Sequence, residues 1–214
     1  MKNAFTLAEI LITLVIIGVI AAMTIPAIIN EINELEYKNM WKKDFSTLNQ
    51  AVSYLKINYT SLKGVCTSWD NTCFVNKLTP KLNTIKICSK GNTIGNCWHA
   101  NDGSTKMLNG DSISWWPTDS SGMILSDGSF ISLTYTSSDC NYTALTTTIL
   151  PICGYAYIDV NGLKKPNILG KDIFATWIQE DRLVPFGVSG DNYENMCTKY
   201  DSGWSCSSEY LYKD

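Results

Sequence analysis

Histidine is almost missing from this chain of 214 residues, in which His99 stands alone. No Cys-x-x-Cys pair occurs either, so the close ligand pairs of the usual zinc sites are absent. The serines never fall in a Gly-x-Ser-x-Gly nucleophile elbow, and His99, beside Trp98, has no base-orienting partner in the sequence. His99 therefore reads as a packing or surface residue, and the chain does not read as an enzyme. A basic surplus is lacking too. Lys and Arg number 17 against 20 Asp and Glu, for a net charge of -3, whereas nucleic-acid-binding domains carry a basic footprint. Dedicated nucleic-acid binding is not expected. Finally, no charged residue at all occurs from Ile10 to Ile29.

That uncharged run dominates what is present. At about 1.5 Å of helical rise per residue, roughly 20 apolar residues match a bilayer core of about 30 Å, so a membrane-inserted helix is expected. A cleaved secretory signal has a shorter apolar core and a small-residue cleavage site, and here a second helical pattern follows directly. Glu9 is the anomaly. An ionisable group at the edge of an apolar run is costly and marks a function or a partner, which a plain single-span anchor does not explain.

Lys2-Asn3-Ala4 followed by Phe5-Thr6-Leu7-Ala8-Glu9 and the long apolar run resembles the N-terminus of type IV pilins and of the related pseudopilins of type II secretion and competence systems. The resemblance implies a leader over 1–4, cut by an inner-membrane prepilin peptidase between Ala4 and Phe5, and N-methylation of the new terminus Phe5. Glu9 falls on the family's glutamate, which serves assembly. The family usually has glycine before the cut, where this chain has Ala4, another small residue. Pro26 falls where many pilins carry a helix-bending proline. With Gly18 it weakens the helix locally, by removing a hydrogen bond and a side chain, and the pair marks an expected kink.

The partners that the resemblance implies are copies of the chain or other pilins in a helical filament, the prepilin peptidase, an inner-membrane assembly platform, and lipid before assembly. The precursor would lie in the inner membrane with its head outside the cytoplasm, and the product would be a cell-surface pilus or a periplasmic pseudopilus. A membrane-tethered extracytoplasmic binding domain that never polymerises is the rival from another class.

After Pro26 the apolar residues Tyr37, Trp41, Phe45, Leu48, Val52, Leu55, Tyr59 and Leu62 recur at steps of three and four, one face of a helix. Lys38, Lys42, Asp44, Asn49 and Lys56 fall between them, and Gly64 is the expected stop. The helix thus divides into a transmembrane and assembly half over 5–29 and an amphipathic half over 30–63. A globular head follows over 64–214.

Eight cysteines, an even number, all lie downstream of the apolar run and point to an oxidising compartment. Eight allow about 105 connectivities. Short loops favour the neighbouring pairs Cys66 with Cys73, Cys88 with Cys97, Cys140 with Cys153, and Cys197 with Cys206.

Residues 65–118 read as loop with one short strand near Thr84-Ile85-Lys86-Ile87. Two β-prone runs around Asp127-Gly128 predict a hairpin over 122–135, and Gly154 to Val160 predicts a third strand. The expected fold is α+β: a long N-terminal helix packed on a small antiparallel sheet, with a loop-rich, disulfide-stapled head, as the pilin resemblance also implies. In the segment after the third strand, Asp159, Asn161 and Asp172 offer hard oxygen ligands suited to calcium, and the resemblance to major type II pseudopilins supports that reading. The EF-hand pattern fails at Leu163 and Gly170. The alternative is that these residues shape a long turn through their own backbone bonds. Trp115-Trp116 can form a binding patch or fill a small core, and the tail from Gly187 to Tyr212 reads as a stapled surface loop.

Overall fold

The computed structural model describes residues 6–113, 118–143 and 151–213. The cleavage pair Ala4 and Phe5, the rest of the leader and the Trp115-Trp116 pair lie outside them. The chain divides into two units, Met1–Glu36 and Tyr37–Asp214.

Helix α1 spans Leu7–Tyr59, 53 residues. It runs unbroken through Gly18 and through Pro26, which has no N–H to donate within the helix. In the first unit no residue from Leu7 to Glu36 is buried. The hydroxyls of this stretch are satisfied locally: Thr13 Oγ1 donates to the Ile10 carbonyl at 2.9 Å and Thr24 Oγ1 to that of Ile20 at 3.0 Å.

In the second unit the helix carries a buried stripe of Trp41, Asp44, Leu48, Ala51, Val52 and Leu55. Asp44, expected among the solvated residues, is only 1% exposed. The helix also ends earlier than the apolar pattern suggests. Thr60 takes a left-handed backbone (φ 68°), and Leu62 turns into the core with its N–H donating to the Glu180 carbonyl at 3.0 Å. A residue can thus keep the apolar spacing of a helix after the helix has stopped.

Six antiparallel strands follow in simple meander order: β1 (Thr84–Cys88), β2 (Ser121–Leu125), β3 (Phe130–Tyr135), β4 (Ile152–Asp159), β5 (Ile173–Gln179) and β6 (Leu183–Pro185). Helix α2 (Asn71–Leu78) precedes β1, and α3 (Cys206–Tyr212) closes the chain. The β2–β3 hairpin turns at Asp127-Gly128. There Gly128 adopts φ 94°, and Asp127 Oδ1 accepts both the N–H (3.1 Å) and the hydroxyl (2.8 Å) of Ser129. The fold is α+β.

Both faces of the sheet are covered. Alternate residues Ala156 and Ile158 of β4, with Phe174 and Ile178 of β5, pack with Trp41, Leu48, Val52 and Phe74 from α1 and α2. Their neighbours Tyr157, Ile173, Ala175 and Trp177 pack on the other side with Trp98, Phe186 and Trp204. That second layer is made mostly of loops and is rich in ring contacts, such as Trp177 stacked on Phe186 with centroids 4.1 Å apart.

Disulfides fasten the loops where they leave regular elements: Cys66–Cys73 at α2, Cys88–Cys97 at the end of β1, Cys140–Cys153 between β3 and β4, and Cys197–Cys206 at the start of α3. Each joins sequence neighbours, and no described cysteine is free.

Trp41 anchors the contact between α1 and the sheet. It is fully buried, stacks on Phe174 with centroids 4.9 Å apart, and donates its indole N–H to the Ser207 carbonyl at 2.9 Å. Trp41→Ala should therefore cost about 3–5 kcal/mol. Ile57→Ala, at a position 82% exposed, should change stability by no more than about 0.5 kcal/mol. Urea unfolding of the detergent-solubilised protein separates the two, and equal losses would contradict this packing.

Candidate functional site

Two regions carry the predicted site residues, one in each unit. In the first unit Glu9 has a local partner that the sequence reading overlooked. Thr6 donates its N–H and its hydroxyl to Glu9 Oε2, both at 2.8 Å, and Thr6 Oγ1 accepts the Glu9 N–H at 3.3 Å. This is a capping box, Thr-x-x-Glu, with Thr6 at the N-cap. It satisfies orphan donors of the helix's first turn. The signal lay in the sequence as Thr6-Leu7-Ala8-Glu9, a capping residue followed three positions later by an acid ahead of an apolar run. Beyond Glu9, α1 is the one helix among the described residues long and apolar enough to cross a membrane, and its most apolar window buries no residue within the chain.

In the second unit Asp159 ends β4, and Asn161 and Asp172 lie in the loop that leads from it to β5. Asp159 and Asp172 are fully buried. Asp159 Oδ1 accepts the N–H groups of Asn161 (3.1 Å) and Gly162 (2.8 Å), and Oδ2 lies 2.6 Å from His99 Nε2. Asp172 Oδ2 accepts from the Asn167 N–H at 2.8 Å and Oδ1 from that of Ile168 at 2.6 Å. Asn161 Nδ2 reaches the Lys165 carbonyl at 3.3 Å. The two carboxylates thus fold the loop onto themselves, the turn-shaping role of Asp.

As a calcium centre the set fits poorly. Every Asp159 and Asp172 oxygen already has a partner, leaving only the buried Asn161 Oδ1 without one among the three residues. Among the described residues no three His, Cys, Asp or Glu side chains are placed to hold a metal. His99 has a partner after all, in Asp159, a residue 60 positions away that sequence spacing does not reveal. The pair is buried, with His99 5% and Asp159 0% exposed, and it ties the loop around His99 to the end of β4.

Asp44 on α1 extends this buried acidic region. Burial pushes its carboxyl up to about 7, the charges of Asp127 and Asp159 push the same way, and Lys43 and a hydrogen bond from Ser129 oppose them. Asp44 Oδ2 has no hydrogen-bond partner. Burial likewise raises Asp159 to about 6 against the opposing bond from His99, and it raises Asp172 against its two backbone donors. Asp127 goes the other way. Burial would raise it, but the ion pair with Lys43 and the donors from Ser129 outweigh that and leave it low.

Comparison with protein-family models, with curated proteins and with solved structures yields no match. The functional reading rests on the chain's own residues.

The raised Asp44 carboxyl fixes the sign of a pH effect. The folded state holds this proton more tightly than the unfolded chain, whose Asp titrates at about 3.9. Asp44 therefore stabilises fully below about 4, and that stability is lost as pH rises through about 7. Replacement by Asn removes the ionisation. Asp44→Asn should melt close to wild type near pH 4 and above it near pH 8, as read by differential scanning calorimetry. A melting-temperature difference that does not change with pH would show that Asp44 does not titrate in this range.

Proposed function

We propose that the chain is a structural subunit of a type IV pilus or pilus-like filament. In this reading the precursor sits in the inner membrane, a prepilin peptidase cuts between Ala4 and Phe5, and Phe5 is N-methylated. An assembly platform then moves the subunit into a filament built with copies of itself or with other pilins.

The observation that carries the reading is the division of α1. Its first part, Leu7 to Glu36, buries no residue in its own chain and is uncharged from Ile10 to Ile29, with Glu9 at the start of that run, whereas its last part supplies the core stripe of a disulfide-bearing α+β head. A helix of this kind needs lipid at first and sister helices later, which is what a filament subunit exchanges on assembly. Cleavage before Phe5 leaves the Thr6 N–H in place, so the capping box survives. It also creates an amine next to the box, and in the filament the amine of an adjacent subunit neutralises Glu9.

The pseudopilin form of the same reading is supported by the sequence resemblance of the segment from Asp159 to Asp172 alone, not by a calcium centre there. The rival of another class, a tethered binding domain, accounts equally well for the apolar helix and, through the capping box, for Glu9. It has no need of a cut before Phe5.

Mass spectrometry of the protein extracted from membranes should therefore find a chain beginning at N-methyl-Phe5. Chains that all begin at Met1 would favour the tethered domain and refute the filament subunit.

A further inference from the structure

Two Asn-Tyr-Thr tripeptides occur in the chain, Asn58-Tyr59-Thr60 and Asn141-Tyr142-Thr143. In a protein outside the cytoplasm Asn-x-Thr is an acceptor pattern for N-linked glycans, and its acceptor belongs on an accessible loop. The structure treats the two copies differently.

Asn58 lies in the last turn of α1, and its Nδ2 donates to the Tyr54 carbonyl at 2.8 Å. A transferase would have to break that bond and unwind the helix end to use the nitrogen. Asn141 lies outside the named helices and strands and is exposed. Ser137 holds it by the other end of the carboxamide. The Ser137 hydroxyl donates to Asn141 Oδ1 at 2.6 Å, and Ser137 Oγ accepts the Asn141 N–H at 3.3 Å. Among the described residues no hydrogen bond is made by Asn141 Nδ2, the atom that would react.

The flanking residues add a second distinction. Asp139, Asn141 and Thr143 are all exposed, whereas Cys140 between the first two is buried in its bridge to Cys153 and Tyr142 is half-buried. The chain thereby offers a carboxylate two positions before the acceptor and a hydroxyl two positions after it. This is the extended Asp-x-Asn-x-Thr pattern that gives an oligosaccharyltransferase two further groups to bind. At Asn58 the corresponding earlier position is Lys56, of the opposite charge.

We propose that Asn141 is an N-glycosylation site of the head. The co-substrate is an oligosaccharide carried on a polyprenyl pyrophosphate. Asn141 Nδ2 forms a bond to the anomeric carbon of the first sugar while the bond from that carbon to the pyrophosphate oxygen breaks. The pyrophosphate leaves with the electron pair, one amide proton passes to a carboxylate of the transferase, and no oxidant or reductant is involved. Asp139 and Thr143 are recognition groups and undergo no chemistry. The proposal goes beyond the filament reading. It requires only that the head face an oxidising compartment, as the four disulfides imply, and it holds whether or not the chain polymerises.

Protein purified from its native cells, digested and mapped by mass spectrometry, should carry a saccharide increment on the peptide containing Asn141 and none on the peptide containing Asn58. The increment should be lost in Asn141→Gln, in Thr143→Ala and in Asp139→Ala, and kept in Asn58→Gln. Intact mass after alkylation without reduction checks that each variant retains all four disulfides. An unmodified Asn141 peptide, or a saccharide on Asn58 alone, overturns the assignment.

Discussion

Apolar surface in the first part of α1 is the constraint on which the rest of the account depends. Sixteen large apolar side chains between Leu7 and Leu35 remain exposed in the single chain. Burying one Leu, Ile, Val or Met fully is worth about 1.5–3 kcal/mol, so leaving them all in water would forgo more than the whole stability of a typical domain, about 5–15 kcal/mol. No adjustment of the head offsets a term of that size. An apolar surrounding, such as a membrane provides, removes that cost, and the helix is long and apolar enough to cross one. The local satisfaction of Thr6, Glu9, Thr13 and Thr24 fits this requirement, because a polar group without a partner is most costly where water is absent.

The head meets a different demand. One stripe of α1, with α2, covers one face of a six-stranded meander, and loops carrying Trp98, Phe186 and Trp204 cover the other. A layer made of loops has little regular hydrogen bonding to hold its course, and disulfides closing loops of 7 to 13 residues supply that constraint by limiting the unfolded chain. Polar groups are nonetheless taken inside. Asp44, Asp159, Asp172 and His99 are all buried; Asp159 and Asp172 accept from backbone N–H groups and Asp159 also pairs with His99, while Asp44 Oδ2 has no partner. The Asp159–Asp172 segment therefore takes its shape from buried carboxylates together with the buried side chains of Val160 and Leu169.

Much of this was legible in the sequence because it follows from period and local chemistry. The stripe from Tyr37 to Leu55, the Asp127-Gly128 hairpin and strand β4 rest on helical spacing, on a turn dipeptide and on a β-prone run. Strand β5 was missed because Ile173 to Gln179 is buried on both faces, so the alternation that marks a half-exposed strand is absent. Helices α2 and α3 are only 8 and 7 residues long, too short to show a period among the surrounding loop residues. The helix end at Tyr59 is set by the left-handed backbone of Thr60 and the tertiary pull on Leu62, and the pairing of His99 with Asp159 by sheet geometry. Neither leaves a local trace. The burial of Asp44 was illegible for the same reason, since a carboxylate in a polar neighbourhood of the sequence reads as solvated. The Thr6–Glu9 capping box is legible in the sequence, as Thr-x-x-Glu directly ahead of an apolar run.

The central claim is that the first part of α1 joins the chain to its copies, with Glu9 selecting and registering the incoming subunit. Replacing Glu9 by Leu makes the helix easier to hold in lipid and removes both the capping box and the charge, so membrane insertion and assembly should part company. The direct measurement is fractionation of cells that carry Glu9→Leu as their only copy, comparing membrane-bound protein with protein in sheared filaments. The account predicts full insertion in the membrane with loss from the filament fraction. Entry of the variant into filaments as efficiently as the original would contradict it.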